Sequence, residues 1–182
     1  KKCVQAVHDR LPHVTIELLS SDLGGDDPSL RYLLDGIPLA VFAHNVECVE
    51  SLDKTVRDPR ASFAQSLNVL RRAKELRPDL WTKSSIMIGL GETNDEVTDA
   101  MQQLRGANVD MLTLGQYLAP GRPGERFLPV DRFVTPEQFE SWANEARSIG
   151  FRAVASGPLV RSSFRAGLLL EQAKSQVVVF NL

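Results

Sequence analysis

Short apolar runs alternate with longer stretches of helical periodicity along most of the chain. Residues 14–20 (VTIELLS) alternate and then run apolar, as a buried strand does, and stop at Ser20-Ser21-Asp22 and the Gly24-Gly25 turn. Asp26 or Asp27 caps a short helix with Pro28 in its first turn, carrying Leu30, Leu33 and Leu34. PLAVFAHN (38–45) is a second strand that breaks off at His44-Asn45-Val46-Glu47-Cys48. The polar segment 50–60 is expected to be a loop over a site mouth. Ser62 then caps a helix to about Arg77, with Phe63, Leu67 and Leu70 on its buried side, and Pro78 stops it.

The centre of the pattern is TKSSIMIGLGE (82–92), a strand through Ile86, Met87 and Ile88 opening into Gly89-Leu90-Gly91 and a carboxylate, Glu92. Two readings stay open for this turn. A ligand approaches main chain at the two glycines while Glu92 faces it, or the glycines serve a tight βα turn that needs φ > 0. Thr93 with Glu96 forms a capping box for the helix that follows, with Val97, Met101 and Leu104 on one face. DMLTLGQ (110–116) is a fourth strand, and the Pro/Gly-rich connection from Tyr117 to Val134 is long enough to be a functional or covering loop. Thr135-Pro136-Glu137-Gln138 starts a helix with Phe139, Trp142, Ala146 and Ile149 inward and Gly150 as its stop. FRAVAS (151–156) is a fifth strand, and a last helix runs from about Ala166 to Lys174. The apolar tail VVVFNL has no assigned place.

Five strand–helix units predict an α/β fold with a parallel sheet. Polar residues gather where strands end, at Asp22, at Asn45 and Glu47, at Glu92, at Gln116 and Tyr117, and at Arg161 to Ser163. Parallel strands bring those ends to one rim. An even distribution around a rim suits part of a (β/α) barrel of the TIM type with outer helices better than an open doubly wound sheet, whose site lies in one crevice. Residues 1–182 are expected to form a single domain, with a serine-containing C-terminal segment at 155–182.

Composition narrows the function. Hydrophobic content of 43% with 24% charge is that of a soluble globular protein, and a net charge of −2 gives no reason to expect nucleic acid or an anionic membrane. No apolar run reaches the roughly 18 residues of a membrane span. Cys3 and Cys48 are too few and too far apart for a disulfide framework or a thiolate metal site. HExxH, Walker and GxGxxG patterns are absent. Among side chains, Asn45 and Glu47 point the same way on a strand end and either hold a diol such as a ribose or satisfy neighbouring backbone. His44 is either a buried hydrogen-bonded residue or a catalytic one, Lys83 either meets a carboxylate or is a surface lysine, and Ser162 and Ser163 read most simply as a helix cap.

Taken together, HNVE (44–47), TKSSIMIGLGET (82–93), TLGQYL (113–118), RFVTPEQF (132–139) and ASGPLVRSSF (155–164) resemble, in order and register from Thr15 to Ala166, the C-terminal two-thirds of lipoyl synthase, a radical S-adenosylmethionine family. Cys48 stands where a Thr is usual, Phe164 where a Tyr is usual, and the DLGG turn (22–25) lacks the customary aromatic and basic residues. The resemblance implies a sulfurtransferase that inserts two sulfur atoms into an octanoyl chain. That chain is carried on a lipoyl-carrier domain or glycine-cleavage H protein, and ferredoxin or flavodoxin supplies electrons. Two [4Fe-4S] clusters are implied, one cleaving S-adenosylmethionine and one consumed as the sulfur donor. Cofactor contacts fall on Asn45 and Glu47 toward ribose, Lys83 and Ser85 toward the amino-acid portion, Gly89, Gly91 and Glu92 beside the cofactor, and Gln116 with Tyr117 near the adenine. Ser163, with Ser162 as the alternative, is expected to ligate iron, and Arg161 to orient the site. The family's cluster cysteines lie upstream of Lys1, so the 182 residues alone are expected to be inactive, an incomplete barrel without its first strands. The FRAG ending (164–167) suggests a mitochondrial matrix protein, or a cytoplasmic one if bacterial. The competing readings are a biotin-synthase-like barrel enzyme and a non-catalytic module binding S-adenosylmethionine or an acyl carrier.

Overall fold

The computed structural model describes residues 1–121 and 127–175, which leaves the VVVFNL tail and the middle of the 117–134 connection outside the described residues. Five parallel strands form one sheet in the order of the chain: β1 (Glu17–Leu19), β2 (Val41–Ala43), β3 (Trp81–Ile88), β4 (Met111–Gln116) and β5 (Ala153–Gly157). A doubly wound sheet would reverse its strand order at a switch point. This one does not, and it is a partial β/α barrel.

Each crossover carries a helix: α2 (Asp27–Leu34), α4 (Phe63–Leu76), α5 (Asn94–Gly106) and α6 (Pro136–Ile149), with α1 (Lys2–Arg10) ahead of β1. The caps read from sequence are in place. Asp26, Ser62, Thr93 and Thr135 accept the first free N–H groups of α2, α4, α5 and α6, and Thr93 with Glu96 completes a capping box. Gly150 closes α6 at φ 108°, a conformation that costs other residues strain. Helix faces such as Phe139, Trp142 and Ala146 pack on the outer side of the sheet against Phe42, Ile86, Leu112 and Leu114 in one continuous core. Each of the larger side chains contributes about 1.5–3 kcal/mol by burial.

Segment 50–60 is not the plain loop expected. It holds a 3-10 turn (Glu50–Leu52) and α3 (Asp53–Val56), because the Asp53 carboxylate accepts the Phe63 N–H at 2.8 Å and ties the segment to the start of α4. Strands β1 and β2 are shorter than their apolar runs, since each pairs over only three residues with its neighbour. The last helix, α7 (Ala166–Ser175), does not join the outer layer. Its Leu169, Leu170 and Ala173 instead pack with Val41, Met111 and Ala153, whose side chains lie on the opposite face of the sheet from Phe42, Leu112 and Val154. Helix α7 therefore covers the N-terminal part of the inner face. The polar part of that face lies toward the strand C-termini.

Candidate functional site

The ends of β2, β3 and β4 and the segment after β5 surround one pocket of about 300 Å³. Asn45, Glu47, Ser85, Gln116, Tyr117, Arg161 and Ser162 all line it, so seven of the residues singled out in the sequence meet at one place. A groove of about 370 Å³ lies between the ends of α2 and α4, but it lies away from the strand C-termini, and Arg77 in its wall already donates to the carbonyls of Leu34 and Ile37.

Glu47 shapes one wall. Strand β2 ends at Ala43, yet the chain returns to β3 at Glu47, whose N–H donates to Ser85 O at 3.2 Å and whose carbonyl accepts from Met87 N–H at 2.7 Å. Held on both sides, Glu47 sits at φ +69°, a left-handed conformation that costs a non-glycine residue about 1 kcal/mol or more. Beside it, Asn45 Oδ1 is buried with no hydrogen-bond partner. A buried unpaired acceptor costs about 1–3 kcal/mol, and a ligand donor would relieve it. Of the two readings of Asn45, satisfaction of neighbouring backbone is therefore not realised through Oδ1.

The other predicted contacts are used internally. Lys83 lies within β3 on the inner face and is 1% exposed; its Nζ donates to both Glu17 oxygens at 2.7 and 3.0 Å. It meets a carboxylate, but one from β1, and it does not line the pocket. Gly89, Gly91 and Glu92 also stand apart. The buried Glu92 carboxylate accepts the N–H groups of Gly89 and Leu90 at 2.8 and 2.9 Å, so it closes the turn on itself. Gly89 sits at φ +101°, and a Cβ there would lie 2.5 Å from the Arg132 carbonyl oxygen. The tight-turn reading of this stretch is the one realised. The Gln116 amide donates to the carbonyls of Tyr117 and Arg132 and its oxygen accepts from Val134 N–H, which fixes the covering segment 132–134 against β4. Tyr117 lines the pocket and donates its hydroxyl to Leu128 O at 2.9 Å.

The serine pair is divided. Ser162 lines the pocket, whereas Ser163 is exposed and outside the lining. Arg161 donates to Val160 O at 2.6 Å and holds the turn. This segment reaches the inner face because residue 115 is glycine: any Cβ there would collide with the Val160 carbonyl oxygen. Sequence reasoning missed Gly115, although a lone glycine within a strand signals close backbone approach.

Cys3 is exposed on α1 and Cys48 is buried, its thiol pushed up to about 12 by burial. Among the described residues no group of three His, Cys, Asp or Glu side chains could hold a metal ion. The residues present therefore do not fit an iron–sulfur cluster. They do fit a small polar ligand with donors for Asn45 and Glu47.

No family model matches the chain. It is similar to the chloroplastic lipoyl synthase 2 of Zea mays and the chloroplastic lipoyl synthase of Sorghum bicolor, each 53% identical over 93% of this chain and 45% of the relative. It is also 51% identical to the lipoyl synthase of the bacterium Halorhodospira halophila, over 93% of this chain and 50% of that one. The chain spans about half the length of the curated relatives it matches. The plant relatives are chloroplastic by name and the third is bacterial, which overturns the mitochondrial expectation drawn from the FRAG ending.

Proposed function

Because this chain is a part-length member of the lipoyl synthase family, we propose that it supplies the S-adenosylmethionine-binding half of a sulfurtransferase acting on a protein-bound octanoyl group. The observation that carries the proposal is the buried, unpartnered Asn45 Oδ1 beside Glu47 and Ser85 in a pocket at the strand C-termini. In this reading Asn45 and Glu47 accept from ribose hydroxyls, Ser85 faces the amino-acid portion, and the Tyr117 ring lies along the adenine. Arg161 and Ser162 border the side where the acyl chain enters. Bound S-adenosylmethionine would supply, on reductive cleavage by a [4Fe-4S] cluster that takes its electron from a donor such as ferredoxin or flavodoxin, the radical that takes hydrogen from an unactivated carbon. The carrier would be a lipoyl domain or a glycine-cleavage H protein.

A second reading for the 182 residues by themselves, a cofactor-binding module without turnover, rests on the placement of their two thiols, Cys3 exposed on α1 and Cys48 buried. Calorimetric titration with S-adenosylmethionine tests the first part, with binding expected for the 182-residue chain and at least a ~10-fold loss in Asn45→Ala. Saturation that Asn45→Ala leaves unchanged would dispose of the pocket assignment. Incubation with iron and sulfide followed by visible absorption tests the second. Stoichiometric cluster formation on the chain would overturn the module reading.

A further inference from the structure

Behind the Asn45–Glu47 turn, away from the pocket, runs a chain of hydrogen bonds with one consistent set of donors. His44 is buried just past β2, with Nδ1 2.9 Å from the Ser20 carbonyl, which can only accept, so Nδ1 carries the proton. Nε2, 2.8 Å from Ser66 Oγ, is then an acceptor and the Ser66 hydroxyl donates to it. Arg57 Nη1 in turn donates to Ser66 Oγ at 3.0 Å. Ser66 is fully buried, and the Arg57 side chain is 8% exposed with Asp53 3.8 Å away. The loop after β1, the end of β2, the segment after α3, and α4 thus meet at one imidazole.

On the pocket side nothing comparable holds Asn45 Oδ1. The course of the chain is set by its neighbours: His44 N–H donates to Lys83 O at 3.0 Å, Val46 N–H donates to Ser84 Oγ at 3.2 Å, and the Val46 side chain is in the core. We propose that His44 is a positioning residue: neutral and locked between Ser20 and Ser66, it fixes the turn so that Asn45 and Glu47 present their oxygens to the pocket, and a second proton on the imidazole releases them. Its readout by cofactor affinity rests on the pocket assignment above; its structural core does not.

The chemistry of the second proton follows from the same contacts. An Nε2–H would point at a Ser66 oxygen that already accepts from Arg57, and the Ser66 hydrogen would lose its acceptor inside the protein. The charged groups facing His44 are Asp22 from the loop after β1, Arg57 from the segment after α3, and Glu47 from its own turn. Burial outweighs the hydrogen bond to the Ser20 carbonyl and the Asp22 and Glu47 carboxylates and, with Arg57, holds the imidazole below its ordinary range. The folded protein therefore binds fewer protons than the unfolded chain. The His44 contribution is complete above the ordinary imidazole value of 6.5 and declines as pH falls from there toward the folded value.

Nuclear magnetic resonance of the 182-residue chain tests the proposal, with S-adenosylmethionine titration beside it. The Asn45 side-chain amide signals are expected to move with the His44 ring titration in the wild type and to stay put over the same pH range in His44→Gln. Affinity for S-adenosylmethionine is expected to fall in step with the His44 ring titration between about pH 7.5 and the acid foot of that titration in the wild type, and to be flat over the same range in His44→Gln. Asn45 signals indifferent to the His44 titration, or an equal pH slope of affinity in His44→Gln, would overturn the proposal. No binding at either pH while Asn45 still follows His44 supports the positioning role and removes the cofactor assignment instead. Should His44→Gln not fold, Ser66→Ala keeps the imidazole and takes away its partner. A diminished Asn45 response in that variant supports the proposal, and an unchanged one refutes it.

Discussion

Two turns at the C-terminal ends of neighbouring strands each end on a glutamate, Glu47 and Glu92, and the structure uses them in opposite ways. After β3, Gly89-Leu90-Gly91-Glu92 is closed: the carboxylate takes two N–H groups of its own turn, and Asp131 N–H donates to Gly89 O. After β2, His44-Asn45-Val46-Glu47 is open toward the pocket: a left-handed Glu47 and an acceptor without a donor face it. The glycines and carboxylate that most resemble a binding loop are spent on folding, while the strained, unsatisfied turn carries the candidate site. Unpaired buried polarity is the better marker of where a ligand is missing.

The comparison breaks first, if at all, at Gly89. A Cβ there meets the Arg132 carbonyl at a positive φ, so Gly89→Ala is expected to cost at least about 3 kcal/mol in denaturant unfolding. A loss under about 1 kcal/mol would mean that the turn is not locked. Glu92→Ala leaves two turn N–H groups without their acceptor and should cost about 2–4 kcal/mol of stability, with S-adenosylmethionine affinity unchanged within about twofold. Asn45→Ala should reverse that pattern, with stability of the ligand-free chain equal to or above wild type, since an unpaired buried acceptor is removed, and affinity lost. Equal effects of the two substitutions on binding would erase the distinction between the turns. The smallest effect is expected in the serine pair. Ser162→Ala should weaken binding about threefold and Ser163→Ala not at all, since only Ser162 borders the pocket.

Much of this was legible beforehand for a physical reason. Helix caps, the parallel strand–helix alternation and the rim of strand-end polar groups depend on residues near one another in sequence, as Thr93 with Glu96 and Thr135 with Pro136 illustrate. The identity of the pocket wall was legible only as a list. Asn45, Glu47, Ser85, Arg161 and Ser162 were named from their strand-end positions and the family resemblance, but Lys83 and Glu92 were named beside them on equal grounds. Their partners, Glu17 sixty-six residues away and two backbone groups within the turn, distinguish them, and no local pattern reveals which partner a long side chain takes.

The sequence by itself determined five strands, their intervening helices with their caps, and the clustering of polar residues at one end of each strand, because period and capping are local properties of the chain. Only the tertiary structure decided that α7 lies within the curve of the sheet, that Gly115 admits the Val160 carbonyl, and that Ser162 rather than Ser163 faces the pocket. Those outcomes depend on which surfaces meet across long separations, where a single missing Cβ or one competing carboxylate selects the arrangement.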